Sequence, residues 1–190
     1  MAKKMAKERL IKKYETLLET MISDSDFARW IPNVEGKIIK YNKLQDYDNI
    51  NDLLPEPFDF KIILTEQKPN EGHWTALVKY KNIIEWFDPY GVRPDGEWNY
   101  IPSAIKYALG QGGNPLSKLL RTVGKGQKVY YNKRRIQSNR EGINTCGRWV
   151  ICRILSAMLG WELDDYINKI DEVCEETGKP SDVVVCDWIH

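Results

Sequence analysis

Apolar residues recur at helical spacing from Lys4 to Ile22, where Leu10, Ile11, Tyr14, Leu17, Leu18, Met21 and Ile22 share one face and lysines and glutamates occupy the other. This spacing predicts an amphipathic N-terminal helix that stops near Ser23. From there to about Pro57, short apolar clusters such as Lys37 to Tyr41 are broken by Pro, Asn and Asp, a pattern that supports only short strands or turns. Phe58 to Thr65 reads as a buried strand and the following KPNEG as a turn. His73 to Tyr80 and Ile83 to Asp88 read as a hairpin joined at Lys81-Asn82. Residues 101 to 123 predict one or two helices interrupted by GQGGNP, Gln127 to Tyr131 a further strand, and SNREGIN a polar loop. From Cys146 the helical period returns, with Val150, Ile151, Ile154, Leu155, Met158 and Leu159 on a broad apolar face and Gly160 as the stop. A last helix runs from Leu163 past Cys174 to Gly178 and Pro180, and SDVVVCDWIH closes the chain as a short strand or helix.

A chain of 190 residues with 42% hydrophobic content can bury one substantial core, so one domain over residues 1–190, with the N-terminal helix packed on it, is expected. Lys and Arg number 28 against 27 Asp and Glu, which removes any whole-protein case for nucleic acid or membrane binding. Locally the balance differs. Arg121 to Arg140 holds seven basic residues and no acid, with Tyr130 and Tyr131 among them; a weak DNA contact is one reading, and a solvated loop is the preferred one. The start, MAKKMAKERL, lacks the apolar stretch of a secretory signal, and no run approaches the ~18 apolar residues of a membrane span. A non-secreted protein, away from membranes and in a reducing compartment, is expected. The four cysteines have no CxxC spacing and one of the two histidines is the final residue, so neither a metal site nor a cofactor is expected. Cys152, Cys174 and Cys186 read as free thiols.

The hairpin carries the chemistry. A two-residue turn at Lys81-Asn82 pairs Tyr80 with Ile83, and counting outward sets Thr75 opposite Asp88. His73 then lies on the same face as Asp88 and diagonal to it, roughly 6 to 8 Å away between Cα atoms, so the carboxylate can orient the imidazole. A register slip of one residue would separate them. The second half is Asn144-Thr145-Cys146-Gly147: Asn144 or Thr145 can cap the helix, leaving Cys146 in the first turn where free N–H groups favour a thiolate, and Gly147 keeps the backbone open to a substrate. With His73 as its base, such a thiolate is a nucleophile for acyl transfer. The backbone N–H of Cys146 and the side chain of Gln137 are the candidate oxyanion donors.

Gly72-His73-Trp74, then Phe87-Asp88-Pro89-Tyr90-Gly91, then a Gln before Thr145-Cys146-Gly147-Arg148-Trp149, resembles the adenovirus-type and Ulp-like cysteine proteases over roughly residues 58 to 160. The likeness is greatest to the capsid-maturation proteases of virophages, Polinton-like elements and large DNA viruses. The resemblance implies an α+β, papain-like or adenain-like fold, with a mixed central sheet flanked by helices and the nucleophile at the N-terminus of a central helix. It implies His73 as general base and acid, Asp88 as its orienter, Cys146 as nucleophile and Gln137 as oxyanion donor. Relatives keep this Gln closer to the cysteine than the nine residues found for Gln137, which makes Asn139 a rival; Gln137 is preferred because the polar loop between can absorb extra residues. Trp74 is expected either to narrow the substrate cleft or to serve as an ordinary core aromatic. The implied protein is a monomeric viral endopeptidase of virion and host cytoplasm, acting on a capsid or core precursor. An isopeptidase for a ubiquitin-like modifier, an acetyltransferase variant and a catalytically silent interaction module are the alternatives.

Overall fold

The computed structural model describes residues 12–96 and 101–190, so the expected helical stretch before residue 12 lies outside them. Residues 12–19 form helix α1. There follow α2 (Asp24–Trp30), β1 (Ile38–Lys40), a 3-10 segment (Tyr41–Asp46), α3 (Ile50–Leu53), β2 (Asp59–Lys68), β3 (Glu71–Tyr80) and β4 (Ile83–Phe87). The second half holds α4 (Ser103–Ala108), α5 (Pro115–Leu120), β5 (Lys128–Tyr131), α6 (Cys146–Met158), α7 (Leu163–Thr177) and α8 (Ser181–Trp188). The architecture is a mixed α+β fold with a central sheet flanked by helices.

The five strands lie side by side in chain order, with β1 parallel to β2, β4 parallel to β5, and the two inner pairings antiparallel. Strand alternation sends Phe60, Ile62, Leu64, Trp74, Ala76 and Val78 to one face, where they pack with Trp149, Val150, Ile151 and Ile154 of α6. Ile63, Leu77, Ile84 and Trp86 face the other way, onto Tyr41, Leu44, Ile50, Leu53, Leu116 and Leu119. The sheet is therefore covered on both sides, which explains why its central strands read as apolar runs.

The hairpin register is the expected one: Tyr80 pairs with Ile83 and the ladder continues to Ala76 with Phe87, with Lys81 at positive φ in the turn. One segment differs from the sequence reading, and one that was left open is resolved. The stretch before Pro57 contains helices as well as β1: α2 starts from a reciprocal Ser23–Asp26 cap and plants Phe27 in the core, a Ser-x-x-Asp signal that the short apolar clusters obscured. The closing SDVVVCDWIH, open between strand and helix, is the helix α8, with Val184, Val185 and Cys186 buried.

One ion pair is embedded in this framework. Glu85 of β4 and Arg153 of α6 are both fully buried and joined by two hydrogen bonds, Nε to Oε1 at 2.6 Å and Nη2 to Oε2 at 2.7 Å. Tyr80 donates its hydroxyl to Glu85, and the guanidinium lies between the rings of Tyr80 and Tyr166 at 5.4 and 5.5 Å. It fixes α6 against the strand that leads into Asp88. Glu85→Ala, which strands the Arg153 charge, is expected to cost about 3–5 kcal/mol in urea unfolding, whereas Glu85→Leu with Arg153→Met should recover most of that loss.

Candidate active site

β3 begins and β4 ends at the edge of the sheet opposite the Lys81-Asn82 turn, and α6 starts at that same edge. This brings His73, Asp88 and Cys146 together. His73 Nε2 lies 2.8 Å from Asp88 Oδ1, which also accepts the Tyr90 backbone N–H at 2.8 Å. Asp88 Oδ2 has no hydrogen-bond partner among the described residues. The other imidazole nitrogen is left for the Cys146 sulfur, and the two side chains share a hydrogen bond. His73, Asp88 and Cys146 are 3%, 0% and 8% exposed, so the chain of bonds is shielded from competing water.

The electrostatics follow from that burial. Desolvation pushes the imidazole down, but the charge and hydrogen bond of Asp88, joined by those of Cys146, outweigh it and raise His73 to about 10. Desolvation likewise pushes the Cys146 thiol up, while the His73 hydrogen bond and charge and the backbone N–H groups of Trp74 and Gly147 bring it below the ordinary thiol value. The favoured state of the pair is thiolate and imidazolium. The other thiols go the opposite way: burial raises Cys152 and Cys174, and raises Cys186 to about 11.

Residues outside the expected set hold these groups. The Tyr90 ring stacks on His73 with centroids 4.4 Å apart and 18° between planes, which favours an imidazolium. Asn132 accepts the Asp88 backbone N–H at 2.9 Å and donates back to the Asp88 carbonyl, clamping the end of β4. Asp182 of α8 accepts from Thr145 Oγ1, from Trp149 Nε1 at 3.2 Å and from the Ser138 N–H at 2.9 Å, which ties the start of α6 to the preceding loop. Tyr90 was visible in the Asp-Pro-Tyr-Gly run; nothing in the sequence pattern marks Asn132 or Asp182.

The remaining expectations divide. Gln137 is buried and reaches the site, its backbone N–H bonded to Pro89 O at 3.1 Å and its amide donating to Ile143 O at 3.2 Å and Tyr90 Oη at 3.4 Å. Its Oε1 is unpartnered among the described residues, and Asn139 is solvent-exposed on the loop. Trp74 is buried against Phe27 at 5.0 Å and donates its indole N–H to Ile22 O at 2.9 Å, so it is both core and cleft wall. Two expectations are corrected. Thr145 stands at the N-cap of α6, but no side chain caps the helix: Thr145 donates to Asp182 and Asn144 to Glu19 O, which leaves the Gly147 N–H free to face the sulfur. Gly147 does not hold its space open either, because Ile22 fills it and a Cβ there would come within 2.5 Å of Ile22 Cβ. The basic stretch from Arg121 to Arg140 runs along the exposed edge strand β5 and its flanking loops, with Arg134 paired to Asp171. Among the described residues, no group of His, Cys, Asp and Glu is arranged to hold a metal, and no helix is long and apolar enough to cross a membrane.

Fold and site together define an α+β protein with a buried cysteine, histidine and aspartate bonded in series at the mouth of a helix. No family model matches the chain. Over 165 residues it is 33% identical to "Uncharacterized protein V9" of Sputnik virophage, covering 86% of this chain and 89% of that protein. The chain belongs to the family of this virophage protein, which establishes the viral relationship.

The thiol ordering is directly measurable. Iodoacetamide at neutral pH, with adducts mapped by peptide mass spectrometry, should modify Cys146 at least about tenfold faster than Cys152, Cys174 or Cys186. His73→Ala removes the cation that lowers the thiol, so the onset of Cys146 alkylation should move to higher pH and its lead at neutral pH should vanish.

Proposed function

We propose that the chain is a cysteine endopeptidase, a viral maturation protease acting on a capsid or core precursor. The observation that carries the reading is the unbroken series from the Asp88 carboxylate through His73 to the Cys146 sulfur, buried and polarised toward thiolate and imidazolium. The family relationship to a virophage protein supports a viral setting for the substrate.

In this reading the Cys146 thiolate attacks the carbonyl carbon of the scissile peptide, and the electron pair of the C=O bond moves to oxygen. The backbone N–H of Cys146, with the Gln137 amide once it turns from Ile143 O, donates to that oxyanion. As the tetrahedral adduct collapses, His73 gives its proton to the leaving nitrogen and an amine departs, leaving a thioester on Cys146. Water then enters. His73 takes one of its protons, the resulting hydroxide adds to the thioester carbonyl, and the C–S bond breaks to restore the thiolate and imidazolium. Asp88 keeps the ring oriented and charged without itself accepting the proton.

Co-expression with a candidate capsid precursor tests this: wild type should process it and Cys146→Ala should not. An uncut precursor in both cases, or processing by both, contradicts the reading. With a cleavable peptide, kcat/KM should rise as pH passes the depressed thiol pKa and fall near 10, where His73 loses its proton. Asp88→Asn removes the charge that raises the imidazole, so the alkaline limb should move to lower pH. Gln137→Ala should reduce kcat by about a hundredfold or more, and Asn139→Ala should leave it nearly unchanged.

A further inference from the structure

The end of α1 and the segment that joins it to α2 are fastened across the site by four hydrogen bonds. The Asn144 N–H donates to Leu18 O at 2.7 Å, the Asn144 amide to Glu19 O at 2.8 Å, Arg148 Nη1 to Thr20 O at 2.7 Å and Trp74 Nε1 to Ile22 O at 2.9 Å. The donors bracket the chemistry, since Asn144 and Arg148 each lie two residues from Cys146 and Trp74 follows His73. Ile22 completes the attachment by occupying the notch above Gly147. Met21, Ile22, Ser23 and Asp24 of this stretch line the space beside the sulfur.

That space is a cleft of about 220 Å³ that reaches Cys146 between this segment and the β2–β3 turn. Its apolar lining comes from Met21, Ile22, Leu64 and Trp74, and its charges are Asp24 and Glu71. No lysine or arginine lines it. Among the described residues Asp24 has no ion-pair partner, and Glu71 meets only Lys68, at 3.2 Å and with both side chains largely in solvent, a pairing that neutralises little. An apolar trough bearing two carboxylates matches one kind of side chain well: a long aliphatic stem ending in a cation, which can lay its methylenes on the trough while its charge reaches a carboxylate. The same pair of charges repels an acidic side chain, and low-dielectric walls strengthen both effects.

We infer that this cleft is a substrate subsite for a basic residue close to the cleaved bond, that Asp24 and Glu71 determine this specificity, and that residues 21–24 form one wall of it. The inference rests on the endopeptidase reading and adds the class of sequence it accepts. A polypeptide rich in lysine or arginine near its cleavage points is the substrate class that results.

Thiol-directed peptidyl acyloxymethyl ketones test it on the full chain. Probes of one sequence, carrying Lys, norleucine or Glu in turn at each of the positions before the reactive group, are compared by the rate at which intact mass reports labelling of Cys146. At one position or more, Lys should exceed Glu by about tenfold at low salt, with norleucine between, and the gap should narrow as salt is added. Asp24→Asn with Glu71→Gln should bring the three probes within about twofold while iodoacetamide labelling of Cys146 stays unchanged. Equal rates for the three probes at every position, or a Lys preference that survives the double variant, overturns the subsite and leaves the protease reading standing. If no peptidyl probe reaches Cys146 ahead of the other thiols although iodoacetamide does, the protease reading itself fails and the subsite with it.

Discussion

A carboxylate with no exposure to solvent, such as Asp88, needs positive charge and hydrogen bonds in place of the water it has lost. In this protein the Tyr90 N–H supplies one bond and His73 supplies the other together with the compensating charge. The rest of the site depends on this requirement. Because Asp88 needs a cation, the imidazole holds its proton; because the imidazole is charged, the neighbouring Cys146 sulfur is drawn toward thiolate. Each group thus stabilises the charged form of the next, and loss of one would leave an uncompensated charge in a dry place.

The surrounding fold is arranged to keep these three side chains at bonding distance. The register of β3 with β4 sets His73 diagonal to Asp88, and Asn132 clamps the backbone of Asp88 where the strand ends. The buried Glu85–Arg153 pair holds α6 against the same strand, while Asp182 secures the first turn of α6 through Thr145 and Trp149. Close approach is needed as well. A Cβ on Gly72 would lie 2.0 Å from Thr65 O, so the residue before His73 can be nothing larger if β2 and β3 are to stay paired there. Gln137 is held less exclusively for the triad, because its amide is engaged with Ile143 O and Tyr90 Oη.

Much of this was legible from local pattern. A two-residue turn and a period of two were enough to set Thr75 opposite Asp88, and so to bring His73 within reach of it, because register propagates without error along an unbroken hairpin. The start of α6 at Cys146 followed from its apolar period and from the polar loop before it. What escaped was long-range. Asn132 and Asp182 are ordinary polar residues in sequence, and only the fold carries them 44 and 37 residues along the chain to Asp88 and Thr145. The expectation that Gly147 opens the backbone to substrate failed for the same reason: the space exists, but Ile22, distant in sequence, fills it. Likewise Thr145 has the chemistry of a helix cap and spends its hydroxyl on Asp182 instead.

The charge state of the buried His73–Cys146 pair is accessible to one measurement, because the chain contains only two histidines. Imidazole ¹⁵N chemical shifts of the histidine-labelled protein, with the second signal assigned by removing His190, report directly whether the His73 nitrogens carry one proton or two. At pH 7 both nitrogens should be protonated, and titration should show no loss until the pH nears 10. A neutral His73 ring at pH 7, with one bare nitrogen facing a protonated Cys146, would contradict that charge state.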